Sequence, residues 1–394
     1  MQLRTIRGVK VESKKVLLRV DFNVPIKNGK VEDEYKIQCA LPTINYLLRR
    51  GMQVIVVSHF GRPQGRRIQS MSLKPVYNVL KLKLRPHSVK FIPDKINSKS
   101  LLKIAKTPEG VILLENIRFE KGEDENSAEL ARRLSRIADI YVNDAFACSH
   151  RKAASISAIT KYLKPYAGLN LEREVLYLSR ALEPRKPAIA LIGGAKIESK
   201  LPMIKNFLKV YDYILVGGGI ANTFLKTKEY NVGSSLIDKG YLTAARQLVK
   251  NRKIILPCDV LVGFNNGKER VRDVKIGSEQ KICSSKEKIL DIGPRTIIYY
   301  SNLIRQANTI IWAGPMGCFE NKKFSHGTLT LAKIIGARAS GKALGIAGGG
   351  ETLMAIHQSK MGRYYDFIST GGGAMLEFLS GKKLPGLRPL IMDK

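Results

Sequence analysis

Apolar residues in this chain gather into short continuous runs, separated by stretches with helical spacing. The runs predict strands at 16–20, 53–58, 111–114 and 139–143, then at 188–192, 212–216, 254–256, 309–312, 343–347 and 366–369. Apolar positions three and four apart predict helices at 42–50, 74–82, 98–106, 127–137 and 170–182, and later at 196–209, 239–251, 327–337 and 351–358. In the fourth of these, Leu130 and Leu134 share a face, and Asp124, Asn126 or Ser127 is placed to cap it. Pro184 and Pro187, close together after Leu182, stop a helix and mark a boundary. Strand and helix alternate on both sides of that boundary, which predicts two doubly wound parallel-sheet α/β domains. Residues 262–285 predict only loop. The tail 381–394, with Pro385, Gly386 and Pro389, predicts an extended segment.

The residues at the end of each run differ between the halves. In the second half the runs end in glycine clusters: Gly193-Gly194, Gly217 to Gly219, Gly348 to Gly350 and Gly371 to Gly373. Glycine lets backbone N–H groups approach a phosphate, and a following helix N-terminus adds positive potential. Lys196 and Lys200 are spaced to share one face of a helix start, where two cations oppose the helix dipole unless an anion binds. In the first half the runs end in polar and charged residues. Asp21 and Asn23 flank Phe22, His59 and Arg62 bracket Gly61, and Arg118 and Arg151 follow two further runs. Asp21 and Asn23 also suit a turn cap. Arginines after three parallel strands converge on one sheet edge and predict a pocket for a small anion. One half is thus suited to a polyphosphate, the other to a small, highly anionic molecule.

Length and composition fit this picture. The chain has 394 residues, 44% hydrophobic and 25% charged, enough for two or three cored domains. No apolar run spans a membrane, and the first residues lack the apolar segment of a secretory signal. Cys39, Cys148, Cys258, Cys283 and Cys318 are scattered without a CxxC pair, so the spacing predicts neither a zinc site nor a disulfide framework, and a reducing cytoplasmic setting is expected. His87, His326 and His357 read as surface residues. GARASGKA (336–343) has the outline of a phosphate loop, but Ala343 replaces the hydroxyl residue and the segment precedes a strand. The net charge is +34, with 67 Lys and Arg against 33 Asp and Glu, and residues 81–106 hold eight basic residues and one Asp. Such a surface attracts nucleic acid without selectivity. The basic residues are spread along the chain and no nucleic-acid motif accompanies them, so no specific nucleic-acid partner is expected.

The motifs, taken in order, resemble the phosphoglycerate kinase family: RVDFNVP (19–25), ALPTINYLL (40–48), SHFGRP (58–63), LLENIRF (113–119), VNDAF (142–146), GGAKIESK (193–200), GGGIANTFLK (217–226), LDIGP (290–294), WAGPMGCFE (312–320), GGGET (348–352) and STGGGAMLEFLSGKKLPGL (369–387). They span nearly the whole chain, and the ordered series is far more specific than any member. The resemblance implies a monomeric enzyme that moves phosphate between 1,3-bisphosphoglycerate and ADP, giving 3-phosphoglycerate and ATP with Mg²⁺. It implies a triose domain (1–168, completed by 381–394), a linking helix (169–184) and a nucleotide domain (185–380), with an interdomain cleft that closes. By motif, Asp21, Asn23, Lys36, His59, Arg62, Arg118 and Arg151 would hold the glycerate. Lys36, Lys196 and Gly372 would serve the transfer itself. Gly194, Ala195, Lys200, Gly218, Leu256, Pro315, Glu320, Gly350, Thr352, Gly371 and Gly373 would hold nucleotide, and Glu351 the metal. Four positions depart from the family pattern: Lys36 stands for a catalytic arginine, Ala153 for a second histidine, Ala313 for an asparagine and Glu351 for an aspartate. Lys36, Ala153 and Ala313 favour a competing expectation, a weakened homologue that binds nucleotide or RNA. The presence of Arg62, Arg118, Arg151, Lys196 and Lys200 opposes it.

Overall fold

The computed structural model describes residues 1–9, 15–97, 103–104, 106–107, 110–264, 272–277 and 280–392. The chain forms two compact units, residues 1–176 with 383–394 and residues 177–382. The helix Leu169–Leu182 carries the chain from the first to the second.

The first unit contains β1 (Lys15–Arg19), a small hairpin of β2 (Ile26–Lys27) and β3 (Lys30–Val31), then β4 (Gln53–Val57), β5 (Val89–Ile92), β6 (Val111–Leu114), β7 (Ile140–Asn143) and β8 (Pro165–Ala167). Six of these form a parallel sheet in the order β5-β6-β4-β1-β7-β8. Strand alternation sends neighbouring residues to opposite faces. Val16, Leu18, Val54 and Val56 pack with Ile37, Ile44 and Leu47 of the helix Tyr35–Leu48 and with Val76 and Leu80 of the helix Lys74–Lys83. On the other face Leu17, Ile55, Val57 and Ile112 pack with Leu130 and Leu134 of the helix Ala128–Ser135. Each fully buried Leu or Ile contributes about 1.5–3 kcal/mol. The Ser127 hydroxyl caps that last helix, accepting from the Leu130 N–H at 3.3 Å.

The second unit contains β9 (Ala188–Ile192), β10 (Tyr213–Val216) and β11 (Ile254–Ile255), then β12 (Asp259–Phe264), β13 (Arg272–Lys275) and β14 (Glu287–Ile292), then β15 (Thr309–Ala313), β16 (Leu344–Gly348) and β17 (Phe367–Ser369). Its parallel sheet runs β11-β10-β9-β15-β16-β17. Ile189, Leu191, Ile310 and Trp312 pack against the helices Pro294–Gln306, His326–Ala339 and Gly350–Ser359.

The structure corrects several expectations. The segment read as loop at 262–285 holds β13 and the end of β12, part of an antiparallel sheet β13-β12-β14 with its own small core of Val260, Val262, Ile282 and Ile289. The helix expected at 42–50 begins at Tyr35 and contains Pro42. The helix expected from 196 begins at Leu201, so Lys196 precedes it and Lys200 is only its N-cap residue. The tail includes a short helical turn, Arg388–Leu390. Most of the helix expected at 98–106 lies outside the described residues.

Candidate active site

Parallel strands place their C-terminal ends on one sheet edge, and the polar candidates of the first unit follow β1, β4, β6 and β7 there. The Phe22 N–H donates to the Ser58 hydroxyl at 2.8 Å, and the Gly61 N–H donates to Asn23 Oδ1 at 3.1 Å. Those bonds join the segments after β1 and β4. Asp21 has two jobs. Its Oδ1 accepts the Asn23 N–H at 3.0 Å, the turn cap its residue type suggests, and its Oδ2 accepts from Lys36 Nζ at 2.8 Å. Lys36 also donates to the Asn23 carbonyl at 3.3 Å. Burial is the largest single influence and raises the Asp21 carboxyl, but the charge and hydrogen bond of Lys36, with His59 and the Asn23 N–H, together outweigh it and hold the group below its ordinary value, so it is ionised at neutral pH.

His59 is buried. Desolvation pushes its imidazole well below the usual range despite the opposing charge of Asp21. Its Nδ1 lies 3.3 Å from Arg19 Nη2. A guanidinium only donates, so Nδ1 accepts and the ring proton sits on Nε2. The 3.9 Å approach of Nδ1 to Asp21 Oδ1 is therefore not an ion pair. Arg19 is held in turn by the Ser155 hydroxyl at 2.8 Å, by the Val20 carbonyl and by Glu123 at 3.9 Å. Arg118 is also buried and donates to the Gly61 carbonyl at 2.7 Å and to Asp124 at 3.1 Å. The structure thus brings Asp21, Asn23, Lys36, His59 and Arg118 into one connected cluster. Arg62 and Arg151 are exposed. They reach the cluster through the chain, Arg62 beside Gly61 and Arg151 on a turn closed by its N–H to the Cys148 carbonyl at 3.1 Å.

In the second unit the glycine clusters follow β9, β10, β16 and β17 as expected. The clusters after β9 and β10 and the loop after β15 line a cavity of about 500 Å³, whose lining includes Gly194, Ala195, Gly218, Pro315, Glu320 and Glu351. A second space of about 130 Å³ is lined by Lys200, Gly348 to Gly350, Thr352 and Gly372, and Glu351 lines both. Gly193 explains the close backbone approach here: a Cβ on it would sit 1.9 Å from the Pro315 carbonyl oxygen. Thr352 is buried, its hydroxyl accepting the Gly314 N–H at 2.7 Å. Lys200 donates to the Gly193 carbonyl, and burial pushes its ammonium down to about 8 against the pull of Glu351. Lys196 is exposed, as is Gly373. Gly371 is buried, and its N–H donates to the Ser369 hydroxyl at 3.0 Å. Leu256 packs on the small core around Val260 and Ile289 and is not in the lining of the larger cavity.

A family model described as phosphoglycerate kinase matches residues 6–382. The chain belongs to the phosphoglycerate kinase family. It is 42% identical over 398 residues to the phosphoglycerate kinase of Wolbachia pipientis from Culex pipiens, covering 98% of both chains. It is 41% identical over 407 residues to that of Thermosipho africanus, covering 100% of this chain and 99% of the relative. Among solved structures, the phosphoglycerate kinase from Coxiella burnetii superposes with a TM-score of 0.85 at 39% identity, and the one from Pyrococcus horikoshii with 0.86 at 32%. Each match covers 98% of both chains. The family's two-domain, parallel-sheet α/β architecture is what the units described above display.

Within this family fold, several site-building residues escape sequence reasoning. Arg19 lies inside an apolar strand and reads as a strand residue. Ser155 and Glu123 carry no local signal, because their partner Arg19 is more than a hundred positions away. Lys239 and Lys288 line the larger cavity from segments with no glycine cluster. Ala153, a departure from the family pattern, is buried beside Ala145, Cys148 and Ile156. Ala313, another, lines the smaller space.

Proposed function

We propose that this chain transfers a phosphoryl group between the acyl phosphate of 1,3-bisphosphoglycerate and ADP, giving 3-phosphoglycerate and ATP. The observation that carries this reading is the pair of spaces lined in common by Glu351. The larger suits a nucleoside, and the smaller, ringed by Gly348 to Gly350, Lys200 and Gly372, suits its phosphates. The first-unit cluster supplies the complementary site for a small polyanion. Asp21 and Asn23 are placed to accept from and donate to the glycerate, His59 offers only its Nε2–H, and Arg118, Arg62 and Arg151 bring fixed positive charge.

Phosphoryl transfer asks the protein mainly for in-line positioning and neutralisation of the equatorial oxygens. Lys36 and Lys196 are the cations assigned to the group in flight, and the Gly372 backbone is assigned to the transfer with them. Lys200 is already desolvated, so phosphate contact would strengthen its charge-assisted bonds. Glu351 is exposed at the junction of the two spaces. A single carboxylate beside a phosphate subsite fits Mg²⁺, which takes one or two protein oxygens and completes its shell with phosphates and water. When bound there, Mg²⁺ would neutralise nucleotide phosphate charge. Neither the family match nor the two spaces favours the non-catalytic alternative.

The deciding test is a coupled assay with 3-phosphoglycerate and Mg-ATP, alongside calorimetric titration of ADP. Turnover with saturable dependence on both substrates is expected. ADP binding without turnover would leave a nucleotide-binding protein and overturn the proposal.

A further inference from the structure

The sequence spacing gives no metal-binding set, yet the fold builds one. Asp21 follows β1, His59 follows β4 and Cys148 follows β7. Among the described residues these three bring one oxygen, one nitrogen and one sulfur within 4.8 Å of one another. His59 Nδ1 lies 3.7 Å from Cys148 Sγ and 3.9 Å from Asp21 Oδ1. Bond lengths of about 2.0–2.3 Å at tetrahedral angles give ligand-to-ligand edges of about 3.3–3.6 Å, so small side-chain shifts close the set. A carboxylate, an imidazole and a thiolate together form a donor set for zinc-like cations and not for Mg²⁺.

We propose that Asp21, His59 and Cys148 form a site for a borderline-soft divalent cation such as Zn²⁺, with its fourth position open. On binding, Cys148 releases its thiol proton to solvent and a sulfur lone pair forms the bond to the metal. Burial holds this thiol protonated until then, with its pKa pushed up to about 11. His59 binds through Nδ1, the nitrogen that already lacks a proton. Arg19 gives up that one contact and keeps Ser155, the Val20 carbonyl and Glu123. Lys36 stays on the other carboxylate oxygen of Asp21. Three neighbouring cations, Arg19, Lys36 and Arg118, weaken the site, so it answers to excess metal and does not hold a resident ion. Because Asp21 and His59 are assigned to the glycerate, bound metal and 3-phosphoglycerate exclude each other. That consequence rests on the functional reading above.

The probe is Co²⁺ added to the full chain with a non-thiol reductant. One equivalent is expected to give a near-ultraviolet sulfur-to-cobalt charge-transfer band. Loss of an outer partner already costs about 10–100-fold in metal affinity, so Cys148→Ser and Cys148→Thr should weaken binding at least tenfold and abolish the band. Cys39→Ser and Cys318→Ser should keep it. Circular dichroism confirms that each variant is folded. A missing band, or one undiminished in both Cys148 variants, overturns the site. A band that behaves as expected but resists displacement by 3-phosphoglycerate upholds the metal site and removes Asp21 and His59 from the glycerate pocket.

Discussion

Under the proposed transfer, Lys36 is the side chain whose donor count bears most directly on rate. Two of its three donors are engaged, by Asp21 at 2.8 Å and by the Asn23 carbonyl at 3.3 Å. One remains for a substrate oxygen, where an arginine would bring five donors in a fixed fork. Lys36→Arg is therefore expected to raise kcat by lowering the barrier about 1–3 kcal/mol, the worth of one charge-assisted bond. Steady-state kinetics on the variant check it, and an unchanged or lower turnover would show a site adapted to lysine. Gly193 is a residue of another kind, defined by what it lacks. A Cβ there meets two carbonyl oxygens, Pro315 at 1.9 Å and Gly314 at 2.8 Å, and backbone cannot yield as a side chain can. Gly193→Ala should cost about 1–3 kcal/mol of stability and most of the ADP affinity, read by thermal melting and calorimetry.

Elements are tied together by buried polar groups. Arg19 on β1 and Glu123 in the loop before the helix Ala128–Ser135 have side chains only 3% and 2% exposed. Glu123 also takes the Ser155 hydroxyl at 2.6 Å and N–H at 2.9 Å. Glu123→Ala strands a buried guanidinium, and urea denaturation should show a loss of about 3–5 kcal/mol. Asp144 caps the helix Leu169–Leu182, its Oδ1 accepting the Asn170 and Leu171 N–H groups at 2.8 and 3.0 Å. Burial nevertheless pushes its carboxyl up to about 7. The native state then binds this proton more tightly than the unfolded chain, whose carboxyl titrates near 4. Stability from this group falls as pH rises from about 4 to about 7 and is flat above. The melting temperature of wild type, relative to Asp144→Asn, should accordingly rise on acidification through that window.

The same elements show what a sequence discloses. The central parallel strands were legible because they are buried on both faces and read as unbroken apolar runs, as in AIALI of β9 and QVIVV of β4. Edge strands were legible only in part: β11 and β17 fall on predicted runs, whereas β5, β8 and β13 do not. β5 is VKFI, half exposed, and β13 is RDVK, mostly exposed, so neither stands out from loop. The glycine and arginine positions at strand ends were legible because parallel topology gathers them. The Lys196–Lys200 helix start was misread because spacing alone cannot tell a helical turn from the irregular turn that precedes Leu201.

At the scale of the molecule, the chain crosses between units twice, near residue 176 and near residue 382. The returning segment is bound into the first unit. The Arg4 N–H donates to the Leu390 carbonyl at 2.7 Å, and the Gly386 N–H to the Ser149 carbonyl at 2.8 Å. Asn143 Nδ2 donates to the Gly386 carbonyl at 3.1 Å. Buried Leu384, Leu387 and Leu390 add apolar contact. Deleting residues 384–394 should lower the urea midpoint of the first unit. Trp312, the single tryptophan, is buried in the second unit, and its fluorescence transition should stay in place while circular dichroism shows an earlier one.

That returning segment also orders events during synthesis. The first 176 residues leave the ribosome early but lack the piece that closes them. At about 5–20 residues per second, the second unit takes roughly 10–40 s to emerge. Through that interval the nascent first unit waits with apolar side chains uncovered where Leu384, Leu387 and Leu390 will later dock, a window in which a chaperone has something to hold.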